Sequence, residues 1–206
     1  VRELLAGARV VAVTDRHKMV APDLLARSDW AAIAAAFGAA VARAVDGCPA
    51  GRVIVQVREK DLDGGPLLAL VRAAQRHAPV IVNDRLDVAL AAGALGVHLP
   101  ERGLAVADAR RLAPGLIVGV SRHAAPLEAA DLIQLGPIWP TPSKPTVVPL
   151  GPAALAWPHG AAALVAVGGI DTPARAAEAR AAGATAVAVI RAAWAGGSLA
   201  PFAAAT

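Results

Sequence analysis

The chain reads as an α/β protein of one domain, a (βα)8 TIM barrel spanning residues 1–206. Three observations predict this. Short apolar runs alternate along the whole length with Ala-rich segments of helical period, and strands alternating with helices imply parallel pairing with right-handed crossovers. Eight such units are present in 206 residues, the number that closes a barrel, at the compact end of that fold's range. No linker, low-complexity tract or break in composition divides the chain. A doubly wound open sheet is the alternative, but it needs fewer units and a Gly-rich first turn. The first turn here is Thr14-Asp15-Arg16-His17.

The elements follow in order. RVVAVT (9–14) is the first strand, and RVIVQVR (52–58) the second. PVIVN (79–83), LGVHL (95–99), LIVGVS (116–121) and DLIQLG (131–136) come next, then ALVAVGG (163–169) and TAVAVI (185–190). Each is a short apolar run bounded by Gly, Pro, Asp or Arg, the pattern of a strand buried on both faces. Helices fall near 30–45, 64–77, 85–92, 105–113, 126–130, 152–157 and 173–182, with a last one over 192–204. The segment 16–28, with Met19, Val20, Leu24 and Leu25 looking exposed, is a candidate lid or subunit contact.

Composition narrows the function. The hydrophobic fraction is 56%, but no run of about 18 uncharged apolar residues exists, so no membrane span is expected. No signal-like segment opens the chain, and the lone Cys48 excludes an internal disulfide and a cysteine metal cluster. A cytoplasmic protein is expected. The net charge is only +4, the arginines are scattered and aromatics make up 3%. Nucleic-acid binders concentrate charge and stack bases on aromatic rings, so a small anionic ligand such as a phosphate ester is the better reading.

The rare polar residues are informative. Against seventeen arginines stand three lysines, four serines and one asparagine. Five of these eight rare residues, Lys60, Asn83, Ser121, Ser143 and Lys144, fall at or just beyond predicted strand ends. In a (βα)8 barrel the C-terminal strand ends carry the chemistry. Gln56, Arg58 and Lys60 alternate, which puts all three on one side of a strand. They suit a polar ring plus an anion, or else a polar plug with Arg58 paired to Asp15 or Asp84. Asp84 also reads as a helix cap. Thr141, Ser143 and Lys144 lie in a long, Pro-rich loop able to hold phosphate oxygens. Gly168, Gly169, Ile190 and Arg191 end the seventh and eighth strands, where barrels often bind phosphate through backbone N–H groups. His98 and His123 are the candidate acid/base groups; His98 reads equally as a core histidine, and His17, His77 and His159 as surface residues.

QVREK, VNDRLDVALAAGALGVHL, GVSRH, QLGPIWPTPSKP and VAVGGI occur in this order over about residues 10–192. On these motifs the chain resembles the thiamin phosphate synthase and thiazole tautomerase (TenI) superfamily. The resemblance implies a (βα)8 barrel of thiamin biosynthesis that binds a thiazole ethyl phosphate and forms a homodimer. In the synthase branch, Mg²⁺ is held by two aspartates. One matches Asp84; the other matches Gly103 of GVHLPERG (96–103). Glu101 lies out of register, and Arg102 repels a metal. Arg191 stands where synthases usually place serine. The missing carboxylate and the VHLPE-x-GL, SKP and PLG stretches resemble the tautomerase branch. The expectation is therefore an isomerase, a thiazole tautomerase needing no cofactor, with His123 moving the proton. Arg58 or Lys60 would meet the substrate carboxylate, and Gly169 and Arg191 the phosphate. The synthase, with Mg²⁺ at Asp84, is the alternative, since Gln56, Arg58, Lys60, Asn83, Ser121, Ser143 and Lys144 also match synthase contacts. A non-catalytic thiazole-phosphate-binding or regulatory protein is the third reading.

Overall fold

The computed structural model describes residues 2–125, 127 and 130–204. Runs of Val, Ile, Leu and Ala fit a pleated, buried surface and form eight strands. These are β1 Val10–Val13, β2 Val53–Val57, β3 Val80–Asn83, β4 Gly96–Leu99, β5 Ile117–Arg122, β6 Leu132–Leu135, β7 Ala163–Val167 and β8 Ala186–Val189. Each pairs parallel to the next, and β8 returns to β1, so the sheet is a closed barrel. The expected (βα)8 fold holds.

Ala-rich segments form helices between the strands. Among the described residues these are α1 Arg2–Gly7, α2 Arg16–Met19, α3 Pro22–Ala26, α4 Trp30–Val45, α5 Gly64–Gln75, α6 Leu86–Ala92, α7 Val106–Leu112, α8 Pro173–Ala181 and α9 Ala200–Ala203. Side-chain caps set several starts: Asp29 accepts from Ala32 N–H, and Thr172 from Arg175 N–H ahead of Pro173.

Three expectations need correction. The helix foreseen over 192–204 is broken into a 3₁₀ turn, Ala192–Trp194, and α9, because Gly196 takes φ 93°, a left-handed turn that no helix continues through. The 152–157 segment is a 3₁₀ turn, Pro152–Ala156, ended by extended Trp157 ahead of Pro158. Met19 and Val20, which look exposed in sequence, are buried against the barrel, since α2 folds back on α4. The helix foreseen over 126–130 includes Pro126, Glu128 and Ala129, which lie outside the described residues.

Alternation along each strand sorts the core into two shells. Val11, Val13, Ile54, Ile81, Ile117, Leu132, Val165, Ala186 and Ala188 fill the barrel. Val10, Val55, Val82, Val97, Val118, Ile133, Leu164 and Val187 face the helices and meet Phe37, Leu70 and Ala176. The barrel is thus a packed column, with a polar layer at the C-terminal ends of its strands.

Candidate active site

The top layer is polar. Gln56, Asn83, His98 and Gln134 are all buried inside the barrel. Gln56 donates to Asn83 Oδ1 at 3.3 Å, and Gln134 donates to Gln56 Oε1. His98 Nε2 lies 2.8 Å from Ser121 Oγ. Its ring is fully buried, and burial, with the Arg58 and Arg122 charges, lowers its pKa to about 3. His98 is therefore a neutral support. It is not among the residues lining the cavity above, which corrects its expected place as a ligand contact.

Above this floor opens a cavity of about 520 Å³ at the C-terminal ends of the strands. Gln56, Arg58, Lys60, Asn83, Ser121, His123, Ser143 and Lys144 all line it. The five rare residues that mark predicted strand ends converge here, although they come from four different strand–loop junctions. A recess of about 40 Å³ adjoins it through the shared walls Ser143, Val167 and Ile190. Thr141, Gly168, Gly169 and Arg191 line this recess. Gly168 and Gly169 have φ 96° and 72°, and a Cβ on Gly169 would stand 2.6 Å from Trp139 Cβ. Only glycine lets the backbone approach so closely. Arg175 steadies the turn by donating to Gly169 O and lying over the Trp139 ring.

Thr14 was foreseen at a strand end, but Arg16, Glu59 and Asp61 were not foreseen as site residues. Thr14 donates to Glu59 Oε1 at 2.6 Å, and Arg16 Nη1 reaches Glu59 Oε2 at 3.1 Å and Asp61 Oδ1 at 2.7 Å. The two acids respond oppositely. Burial pushes the Glu59 carboxyl above its usual range despite its partners. Asp61 is mostly exposed, and the Arg16 hydrogen bond draws it down to about 2. His17, read as a surface residue, is exposed on the cavity rim. Gln134 is one polar side chain in an otherwise apolar strand, a signal that was available. Glu101 is the other omission: its Oε2 lies 2.7 Å from His123 Nδ1, and Lys144 Nζ lies 2.6 Å from His123 Nε2.

The pairing of Arg58 with Asp15 or Asp84 does not occur. Asp15 sits with Lys18 at 3.7 Å, while Arg58 and Lys60 make no ion pair among the described residues. Nor is Asp84 a cap: α6 begins after Arg85 with no side-chain cap. Asp84 has φ 65° and an exposed side chain, and it is not a lining residue of the cavity. The magnesium site implied by the resemblance does not fit these residues. Position 103 offers no carboxylate, and a Cβ there would stand 2.8 Å from Pro100 Cδ.

Fold and site together define a (βα)8 barrel with Arg58, Lys60 and Lys144 lining its mouth. The chain belongs to the family described as thiamine monophosphate synthase, whose model matches residues 26–193. A thiamine-phosphate synthase from Anaeromyxobacter dehalogenans is 45% identical over 166 residues, 74% of this chain and 74% of that one. A relative from Geobacter sulfurreducens is 44% identical over 145 residues, 64% of this chain and 60% of its own length, so the match spans less than two thirds of that protein. The solved structure of thiamine phosphate pyrophosphorylase from Pyrococcus furiosus superposes with a TM-score of 0.64 at 26% identity, covering 91% of this chain and 87% of that one. These names correct the expectation of a tautomerase: the relatives are named for the synthase reaction.

Proposed function

We propose that the chain is a thiamin phosphate synthase, a transferase that joins hydroxymethylpyrimidine diphosphate to thiazole ethyl phosphate and releases diphosphate. One observation carries this reading beyond the names of the relatives. The mouth has two seats for anions, side by side. Arg58, Lys60 and Lys144 line the main cavity, and the glycine turn with Thr141 and Ser143 lines the recess. Two phosphorylated substrates would fill two such seats, the diphosphate among the three cations and the monophosphate in the recess.

The chemistry follows from that placement. The lysines and Arg58 meet the diphosphate as point charges and a planar fork. The amides of Gly168 and Gly169, with the Thr141 and Ser143 hydroxyls and Arg191, hold the monophosphate of the thiazole. Gln56, Asn83 and Gln134 offer amide groups to the pyrimidine ring. The bond from the pyrimidine methylene to the diphosphate oxygen breaks, and its electron pair leaves with the diphosphate. The thiazole ring nitrogen gives its lone pair to the same methylene carbon. Cations aimed at the departing oxygens stabilise charge where it develops, which is usually the largest catalytic contribution. Holding both rings in one cavity removes the cost of bringing them together.

The test is product formation from the two substrates, followed by chromatography of thiamin phosphate, with and without Mg²⁺. Product from the parent, reduced at least about 100-fold in kcat/KM by Arg58→Ala or Lys144→Ala, is the expected result. No product under either condition, with both substrates shown to bind, would leave a binding protein and end the synthase reading.

A further inference from the structure

We propose that this chain binds the diphosphate group without a divalent cation, its charge met by Arg58, Lys60 and Lys144, with Glu101 and His123 holding Lys144 in place. The inference rests on the synthase reading and concerns the same mouth. It starts from the turn after β4. Gly103 N–H donates to Pro100 O at 2.8 Å, closing the turn on itself. The Cβ of any larger residue at 103 would press against the Pro100 ring at 2.8 and 2.9 Å. A carboxylate is thus both missing there and excluded by the local packing.

Of the acids near the mouth, Asp15 sits with Lys18 at 3.7 Å, and Asp84 does not line the cavity. Glu59 and Asp61, which line the cavity, bind the Arg16 guanidinium. Glu101, the one acid on the turn itself, is turned towards His123, whose hydrogen bond holds the Glu101 carboxyl below its usual range. Magnesium favours carboxylates plus substrate phosphates, and none of these three acids is free to serve.

What stands there instead is a line of three groups. The Glu101 carboxylate can only accept, so His123 Nδ1 donates. The Lys144 ammonium can only donate, so His123 Nε2 accepts. The imidazole is thereby held by both ring nitrogens between an anion and a cation. Its effect is mechanical: Lys144 comes from a long exposed loop, and this contact fixes its ammonium over the cavity. Glu101 and His123 are positioning residues, and Lys144, Arg58 and Lys60 are the groups that touch the diphosphate.

Titration calorimetry of the full chain with inorganic diphosphate tests this, once in EDTA and once in Mg²⁺ at matched free diphosphate. Binding in EDTA within about threefold of that in Mg²⁺ is expected, because no protein ligand for the ion is lost. Lys144→Ala should weaken the EDTA affinity at least about tenfold, the loss of a charge-assisted contact, with an unchanged circular dichroism spectrum. In ¹⁵N NMR the His123 ring should report protonated Nδ1 in the parent and lose that preference in Glu101→Ala. Binding seen only with Mg²⁺, or no binding in either, overturns the inference. So does a Lys144→Ala variant that binds as well as the parent. The two readings separate cleanly. Synthase turnover that requires Mg²⁺ removes this inference and keeps the synthase; EDTA-insensitive binding with no thiamin phosphate formed does the reverse.

Discussion

His98 shows what one buried residue does to the whole chain. Its ring is neutral in the fold, with a pKa near 3, against an ordinary 6.5. Between these values the unfolded chain binds a proton that the folded chain refuses. Stability is therefore full above about pH 6.5 and falls as pH drops towards about 3, by about 1 kcal/mol per unit at the steepest. His98→Gln should flatten that part of the curve, measured by urea melts at pH 4, 5, 6 and 7. Arg16 gives a second residue-scale prediction. Arg16→Met leaves Glu59, whose side chain is 3% exposed, without its cation. Losing one partner of a buried pair costs about 3–5 kcal/mol. Burial already raises the Glu59 carboxyl, and removing Arg16 raises it further, so the variant should recover part of its stability on acidification as Glu59 protonates. A loss that is equal at pH 5 and pH 8 would contradict this. At this scale the sequence was a good guide to which residues gather, because few polar types survive in so Ala- and Arg-rich a chain. It was a poor guide to Arg16 and Glu101, since arginine and glutamate are common here and carry no such mark.

At the scale of elements, the turn after β7 carries the proposed phosphate seat. Gly169→Ala must place a Cβ 2.6 Å from Trp139 at a φ of 72°. The left-handed backbone alone costs about 1–2 kcal/mol, and the contact forces the turn away from the recess. Affinity for a thiazole phosphate should fall at least about tenfold, since every displaced amide loses its charge-assisted bond. Gly65→Ala is the control. It lies in the first turn of α5 ahead of Pro66, outside the lining of both the cavity and the recess, so it should leave binding unchanged. Strands and long helices were legible because their period and composition are local. The 3₁₀ turns at 152–156 and 192–194 were not, because helical composition there is overruled by neighbouring Gly and Pro.

For the whole molecule, closure is the organising fact. Val187 N–H bonds Arg9 O at 3.0 Å and β8 pairs with β1 in register, so the ends of the barrel depend on each other. The amide of Val187 should exchange with solvent only on global unfolding, while those of Lys144 and Val147, bonded within their own exposed loop, should exchange far faster. Native-state hydrogen exchange checks both. Equal protection would mean that the loop is part of the cooperative unit.

By itself the sequence determined the (βα)8 fold, the order of its strands and most of the residues at the mouth, because alternation, composition and position at a strand end are local properties of the chain. It also carried the missing carboxylate at Gly103. Only the tertiary structure decided what those residues do to one another. It placed His98 within the buried floor instead of on the cavity wall, gave Glu59 and Asp61 to Arg16, and joined Glu101, His123 and Lys144 from three separate loops. Such contacts depend on barrel closure, register and burial, which act between residues far apart in the chain.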